Sequence, residues 1–550
     1  VQFNNLPKSE SVVICYASPN AGTISIYLNG THIQDLTFAS TGDWYGVGRF
    51  STITLNRAIN SGDSLKIQLD LGDKILNVDY IECIPADLWI NYAAAEAPAL
   101  TGAIYHIEDA ADLAWVANQV NNHGNTFAGY GINIEADIDL SAHFWVPIGQ
   151  AGHPFSGYFE ANHKTISNLK IGTSAKPDNT LVHIGLFGLV ELAESVYARN
   201  VTISNIAIYA AVPDREGDRI GGLAGKMTNG DIRNCHVSGT ISMTVTGTLG
   251  QTNYSYAGGL VGHKTGGTVK DCSSAAALSG SGYLGMGGMT GYNAGTVENS
   301  FNTGSLTCGD YAAVGGIASE NRNGTVKNCY NTGSLMAVGG AGVGGIVSEN
   351  ANGTVENCYN TGSLGVGGFN ASVGGIVEYN NEGTVKGCYN TGDMICGTTS
   401  NAGGVVSANE YGTVQSCYNT GDLTGSMSSD AGGIACSNYE GTVSSCYSTG
   451  SIQGGENARL GCIMAYKEEG TVQNTYFLQD TVGGTPVNTG LYGIADNCSY
   501  DYEIDDYIYV PTNSGAEPRT ASEMQSAAVV SVLNSGGAGF FSDFKGINNG

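Results

Sequence analysis

The dodecapeptide GTVKNCYNTGSL (residues 324–335) returns as GTVENCYNTGSL (353–364), GTVKGCYNTGDM (383–394) and GTVQSCYNTGDL (412–423). Its cysteines Cys329, Cys358, Cys388 and Cys417, with the related Cys446, are separated by 29, 30, 29 and 29 positions. A second phrase alternates with the first: VGGIASEN ending at Asn321, VGGIVSEN ending at Asn350 and VGGIVEYN ending at Asn380. A fixed period of this length marks a stacked array in which each unit buries its apolar face against its neighbours. Three short strands per turn, each closed by Gly or Asn, predict a right-handed parallel β-helix with coils about 4.8 Å apart. On that period roughly ten coils are expected.

Earlier, less regular units in the chain fix the direction of the side chains. TISNLKI (165–171) carries Ile166, Leu169 and Ile171 around an Asn bend, and VTISNIAI (201–208) carries Ile203, Ile206 and Ile208 in the same places. Aligned with GTVKNCY, they turn Val326 and Cys329 inward and Lys327 and Tyr330 outward. The glycine pairs Gly315-Gly316, Gly344-Gly345, Gly374-Gly375, Gly403-Gly404 and Gly432-Gly433 are expected at one corner.

Composition narrows the partners. Asp and Glu outnumber Lys and Arg by 49 to 22, for a net charge of -27, which disfavours nucleic acid and anionic membrane surfaces. With only 13% charged residues, the surface is built from Asn, Thr, Ser, Tyr and Gly and suits hydrogen bonding to neutral polymers. No apolar run long enough for membrane insertion exists. The chain opens abruptly in strand-like sequence, so both ends are expected to be cut from a longer precursor. One cysteine per coil, without C-x-x-C, favours a ladder of small buried side chains over a disulfide framework or a metal site.

Residues 1–86 alternate as short strands between Gly, Asn and Asp turns, the pattern of an all-β sandwich. The order Tyr16-Ala17-Ser18, TISIYLNG (23–30), Ser40-Thr41-Gly42-Asp43-Trp44 and Asn77-Val78-Asp79-Tyr80-Ile81-Glu82 resembles the jelly-roll carbohydrate-binding modules of family 6. The resemblance implies that Trp44 stacks on a sugar ring and Asn77 bonds its hydroxyls. The first strands of such modules, with their Glu-x-Glu pair for a structural calcium, have no counterpart here, and Tyr45-Gly46-Val47 replaces a second Trp. Cys15 and Cys83 stand in the strands that open and close this region, where a disulfide could join them.

Residues 87–102 read as a linker and 103–125 as a capping helix with Leu113, Val116, Ala117 and Val120 on one face. The solenoid follows over 126–480, and 481–550 form a C-terminal cap with a helix near 520–534, opened by the capping box Thr520-Ala521-Ser522-Glu523. The helix, ADIDL (136–140), WVPIG (145–149), FSGYFEANHKTISNL (155–169), and then GLFG (185–188), GLAG (222–225) and GLVG (259–262), together resemble the GLUG-repeat proteins of bacterial cell surfaces. That resemblance implies architecture and an extracellular or cell-surface setting, with no single established activity.

Three sets of residues could carry function. Phe301, Tyr330, Tyr359, Tyr389, Tyr418, Tyr447 and Tyr476 recur on successive coils as an outward stripe; a ladder of this kind packs on itself or offers a platform to a polysaccharide, with the NTG turns supplying hydrogen bonds. Asn293, Asn321, Asn350, Asn380, Asn409 and Asn438 form a structural ladder. Glu320 and Glu349 stack on neighbouring coils with Glu378 one position out of line, and neither Arg nor Lys stands within their phrase; a solvated pair is favoured over a catalytic pair or a calcium site. Asp501, Glu503, Asp505 and Asp506 make the densest acidic cluster; oxygen ligands at this density could hold calcium, but the spacing matches no EF-hand loop and a solvated loop is favoured. The leading expectation is a non-catalytic exported protein, glycan-binding or adhesive, directed at a polysaccharide or a host or cell-wall glycan. Alternatives are a β-helix glycoside hydrolase or polysaccharide lyase, and a self-associating structural subunit of a surface layer or filament.

Overall fold

The computed structural model describes residues 1–478 apart from 5, 7–10, 42–50, 56–62, 71, 85–87, 194–195, 213–216 and 246–254, together with 491–496 and 516–519. Trp44, the acidic cluster at 501–506 and the helix expected near 520–534 lie outside the described residues. The chain divides into two compact units, Val1–Tyr92 and Ala93–Gly550.

The first unit is antiparallel. One sheet joins Gln2–Phe3, Leu65–Gln68, Gly22–Leu28 and Thr31–Phe38, and another joins Ser51–Leu55, Ser11–Ala17 and Asn77–Ile84. Alternate residues of both sheets enter one core: Val12, Ile14, Tyr16 and Leu55 from the second meet Ile24, Ile26, Leu36, Phe38, Leu65 and Ile67 from the first. Period-two alternation therefore delivers the expected sandwich. Tyr16 packs edge-on against Phe38 at 5.4 Å, and its hydroxyl donates to the Ala39 carbonyl (3.1 Å). Asn77 opens its strand opposite Ala17 and is half-buried. Cys15 faces Tyr80 and Cys83 faces Val12, so the two cysteines are not cross-strand partners.

The second unit is a parallel β-solenoid of about twelve turns, more than the ten expected. Three faces run its length. Face A is a 14-stranded sheet taking one strand per coil, such as Thr325–Lys327. Faces B and C are 20-stranded sheets that take two strands from each regular coil: Tyr330–Asn331 with Leu335–Ala337, and Gly342–Gly344 with Val347–Ala351. The expected three strands per turn are three faces, two of them bent. The glycine pairs make the bend inside face C. A Cβ on Gly345, Gly375 or Gly404 would stand 2.0 Å from the carbonyl oxygen of the glycine on the next coil, so a side chain there would push the coils apart. Between faces A and B the chain turns through a left-handed residue, Asn328 (φ 53) and Asn357 (φ 53) among them, where Asn tolerates what other residues avoid.

Inside, the sequence repeats become ladders. Val326 and Cys329 are fully buried, as are Cys358, Cys388, Cys417 and Cys446. Each thiol lies against the preceding coil: the amide of Cys329 donates to Cys358 Sγ at 3.4 Å, and that thiol lies 3.6 Å from the Val326 carbonyl oxygen. The asparagine ladder runs from Asn293 Nδ2 to Asn321 Oδ1 (2.7 Å) and on to Asn350 (2.8 Å), Asn380 (2.8 Å), Asn409 (2.7 Å) and Asn438 (2.6 Å). A parallel ladder links Asn302, Asn331, Asn360, Asn390 and Asn419, with each donor–acceptor distance 2.8 Å. Burying amides is costly unless both ends are satisfied; stacking identical asparagines at the coil spacing satisfies them.

At the first coils, helix α1 (Ala110–His123) is capped by Asp109, whose side chain accepts from the Asp112 amide, and ends at Gly124 in the left-handed conformation. Leu113, Val116, Ala117 and Val120 are buried, as their spacing requires. Trp115 packs on Tyr105 and Phe127, and the Asn121 amide donates to Pro147 O (2.9 Å) while its Oδ1 accepts from Gly149 N (2.9 Å).

Candidate functional site

The outward residues of the three faces differ in how far they satisfy one another. On face A the register aligns Lys270, Glu298, Lys327, Glu356 and Lys386. Charge alternates from coil to coil. Lys270 lies 2.8 Å and Lys327 2.7 Å from Glu298, and these two ammonium groups hold its carboxyl below the usual range. This face neutralises itself.

Face B carries the aromatic stripe. Phe301 and Tyr330 stack at 4.7 Å, Tyr330 and Tyr359 at 4.9 Å, Tyr359 and Tyr389 at 5.0 Å, Tyr389 and Tyr418 at 4.8 Å, and Tyr418 and Tyr447 at 4.9 Å. Interplanar angles stay within 7°. The ring faces a sugar would use are covered by neighbouring rings, leaving edges and hydroxyls outward. Tyr447, expected among the ligand contacts, is 1% exposed and cannot meet a ligand. The NTG turns also differ from expectation: Asn331, Asn360 and Asn390 are buried in their ladder, and only threonines such as Thr332, Thr361 and Thr391 are exposed.

Face C is the face whose outward groups do not cancel. One row, in register, reads His263, Tyr292, Glu320, Glu349, Tyr379, Ala408, Ser437 and Tyr466. Across the bend a second row reads Tyr256, Gly285, Ala313, Gly342, Ser372, Asn401, Asp430 and Arg459. Small residues in the second row leave a trough: the Tyr256 ring lies over Gly285 and reaches Glu320 through its hydroxyl, and the Glu378 carboxyl lies over Gly342.

Glu320 is 2% exposed; it accepts from the Tyr256 hydroxyl (2.7 Å) and from Arg322 Nε (2.8 Å). The other arm of Arg322 reaches Glu349 at 2.8 Å. The expectation that no cation accompanies these glutamates fails by one residue, since Arg322 directly follows the phrase ending at Asn321. One guanidinium serves two carboxylates, and burial together with the Glu320 charge pushes Glu349 up. Glu378 sits in the bend, where neighbouring coils carry Ser348 and Ser407. Its Oε2 receives the Ser348 hydroxyl at 3.5 Å and occupies space that a Cβ on Gly342 would fill, at 2.7 Å. Burial, then the nearby Glu349 charge, push it up to about 8. Burial lowers His263 to about 3 and His183 to about 4, so both are neutral at pH 7.

Beyond these carboxylates lies a shelf. Tyr379 and Tyr466 stand three rungs apart, about 14 Å at the coil spacing, with only Ala408 and Ser437 between them. The Tyr379 hydroxyl is held by Glu410 (2.6 Å), and Tyr466 by Glu468 (2.7 Å). Exposed Asn401 and the Asp430–Arg459 ion pair edge the shelf from the second row. Sequence reasoning missed this arrangement, although aligning GYN (291–293), SEN (319–321) and EYN (378–380) on their shared asparagine gives the row. Among the described residues, no three His, Cys, Asp or Glu side chains converge as metal ligands, and no helix is long and apolar enough to cross a membrane.

A parallel β-solenoid built on Gly-containing bends is thus the class of protein. Residues 217–242 match the GLUG motif, and GLAG at 222–225 is the face C bend of that coil. Halomucin from Haloquadratum walsbyi is 30% identical over 184 residues, 31% of this chain; the aligned region spans 2% of that much longer protein. Among solved structures, an immunoglobulin A1 protease assigned as such in Bacteroides ovatus aligns with 57% of this chain and 85% of its own at 18% identity and a TM-score of 0.35. The catalytic domain of a GH87 α-1,3-glucanase in complex with tetrasaccharides aligns with 84% of this chain and 87% of its own at 14% identity and a TM-score of 0.23.

Proposed function

We propose that this chain is a non-catalytic, exported bacterial surface protein that binds a polysaccharide, or a host or cell-wall glycan, on face C of its solenoid. The observation that carries the reading is the shelf between Tyr379 and Tyr466. Two tyrosines separated by small residues wall the shelf, with the Arg459 guanidinium 5.7 Å over the Tyr466 ring, and Asn401 and the Asp430–Arg459 pair bring amide, carboxylate and guanidinium groups to the same edge, the mixture that recognises sugar faces and hydroxyls together. Face A and face B spend their outward groups on one another. The N-terminal sandwich supplies a second contact in this reading, through Trp44 and Asn77.

A glycan array with the intact chain tests it. Binding is expected, with affinity reduced at least about tenfold, or 1.4 kcal/mol, in Tyr379→Ala and in Asn401→Ala, and unchanged in Tyr389→Ala on face B. Trp44→Ala separates the contribution of the sandwich. Silence across the array, or binding indifferent to all of these variants, overturns the proposal. A hydrolytic reading is favoured by the placing of two carboxyl groups, Glu349 and Glu378, on adjacent coils, where burial and the Glu349 charge push Glu378 up to about 8. Release of reducing ends that is lost in Glu349→Gln would establish it instead.

A further inference from the structure

We propose that Glu378 is a proton-operated latch in the bend of face C: protonated, its carboxyl lies in the hollow over Gly342 and fastens two coils beside the shelf; ionised, it is driven out by Glu349 and loosens them. The site of action rests on the shelf reading above, but the latch itself does not.

Geometry makes the case. In the bend row, Glu378 takes the place held by Ser319, Ser348 and Ser407 on neighbouring coils, positions sized for a hydroxymethyl group. A longer side chain fits because Gly342 leaves a hollow, and its carboxyl reaches back to Ser348 on the preceding coil. Groups from every element packed around it are acidic or neutral except one. Glu349 lies on Val347–Ala351, Gly342 on Gly342–Gly344 and Ser372 on Ser372–Gly374; Glu410, bonded to Tyr379, comes from Val406–Glu410. The exception is Arg322, already shared between Glu320 and Glu349. A negative charge in the hollow therefore meets burial and the Glu349 carboxylate with its local cation committed elsewhere, and these outweigh the Ser348 and Ser372 hydroxyls, whose hydrogen bonds favour the ionised form.

The direction follows by linkage. The folded carboxyl keeps its proton up to about 8, whereas its ordinary value is 4.5. Its contribution to stability is therefore fully present below about pH 4.5 and is lost as pH rises through about 8. Since Glu378 precedes Tyr379 in the chain, release of the carboxyl also disturbs one wall of the shelf.

Hydrogen exchange on the full chain at pH 6 and pH 9, corrected for intrinsic rates, reads the latch directly. Peptides covering 342–351 and 372–381 are expected to lose protection about tenfold, equivalent to 1.4 kcal/mol, between the two pH values. Peptides covering 430–439 serve as the reference and are expected to hold. In Glu378→Gln the pH dependence should vanish, and in Gly342→Ala, which fills the hollow, protection at pH 6 should already be low. Equal protection at both pH values in the wild type, or a pH dependence that survives in Glu378→Gln, overturns the latch. If exchange switches but glycan affinity is the same at pH 6 and pH 9, the latch stands and its action on the shelf falls; if exchange switches and no glycan binds, the latch stands and the shelf reading falls.

Discussion

Lys264 occupies the rung before Asn293 in the first asparagine ladder, fully buried. Its Nζ donates to Asn293 Oδ1 (3.2 Å) and to the Gly267 carbonyl (2.7 Å), taking the place of the missing ladder amide on an acceptor that otherwise has only the Gly295 amide (3.3 Å). An ammonium group does this at the expense of desolvation, which lowers its pKa from 10.5 to about 7. The folded state therefore binds fewer protons than the unfolded state between about pH 7 and pH 10.5, so this group makes the protein less stable toward acid and relieves it as pH rises through that window. Asparagine would make the same contact without the charge. Lys264→Asn is expected to raise the thermal midpoint at pH 6 by the equivalent of roughly 2 kcal/mol, with the gain fading toward pH 10.5; a difference that is flat with pH would contradict the account. The opposite signs of Lys264 and Glu378 also mean that a global melting curve blends the two, whereas local exchange separates them.

At the scale of elements, the tyrosine stack of face B holds coils together whether or not a ligand exists. Phe301 already serves as one rung, so the hydroxyl is dispensable to the stacking. Tyr389→Phe is expected to leave stability within about 0.5 kcal/mol, and Tyr389→Ala to cost about 1–2 kcal/mol by unstacking Tyr359 and Tyr418; chemical denaturation of the three proteins decides it, and an equal loss in both variants would show that the hydroxyl carries the contact. The same element shows what sequence could and could not say. A period of this regularity dictates which residues align, and the parity of a strand dictates which of them turn inward, so Val326, Cys329 and the Asn293 ladder were legible. Ring orientation is set by the rise between coils and by neighbours on both sides; the stripe was therefore visible while the loss of its open faces was not. Tyr447 is the sharpest case: its phrase GTVSSCYSTGSI (441–452) keeps the frame of GTVQSCYNTGDL around Tyr418, yet it is buried. Face C was harder again, because its rows mix residue types and its decisive cation, Arg322, belongs to a single coil rather than to the repeat.

At the scale of the whole solenoid, each regular coil meets only its two neighbours through the same ladders, which makes coil number a free variable. Removing residues 384–412 excises one full period, and joins Gly383 to Thr413 in the Gly-Thr step that already opens each coil at Gly383-Thr384 and Gly412-Thr413. The new neighbours then match rung for rung: Tyr359 meets Tyr418, Asn360 meets Asn419, Leu364 meets Leu423, and Gly374 meets Gly432, all of them pairs that the intact register links through one intervening coil. The Glu320, Arg322, Glu349 and Glu378 group is retained, whereas Asn401 and the Glu410 partner of Tyr379 are lost. The shortened chain is expected to keep its β-sheet circular dichroism and a cooperative transition, with a thermal midpoint within a few °C of the parent, and to lose glycan binding on face C. A deletion of residues 384–398 alone, half a period, would set face B against face C and should abolish the cooperative transition. If the half-period deletion folds as well as the full one, the ladders do not specify register, and the account of the solenoid as a stack of interchangeable coils fails.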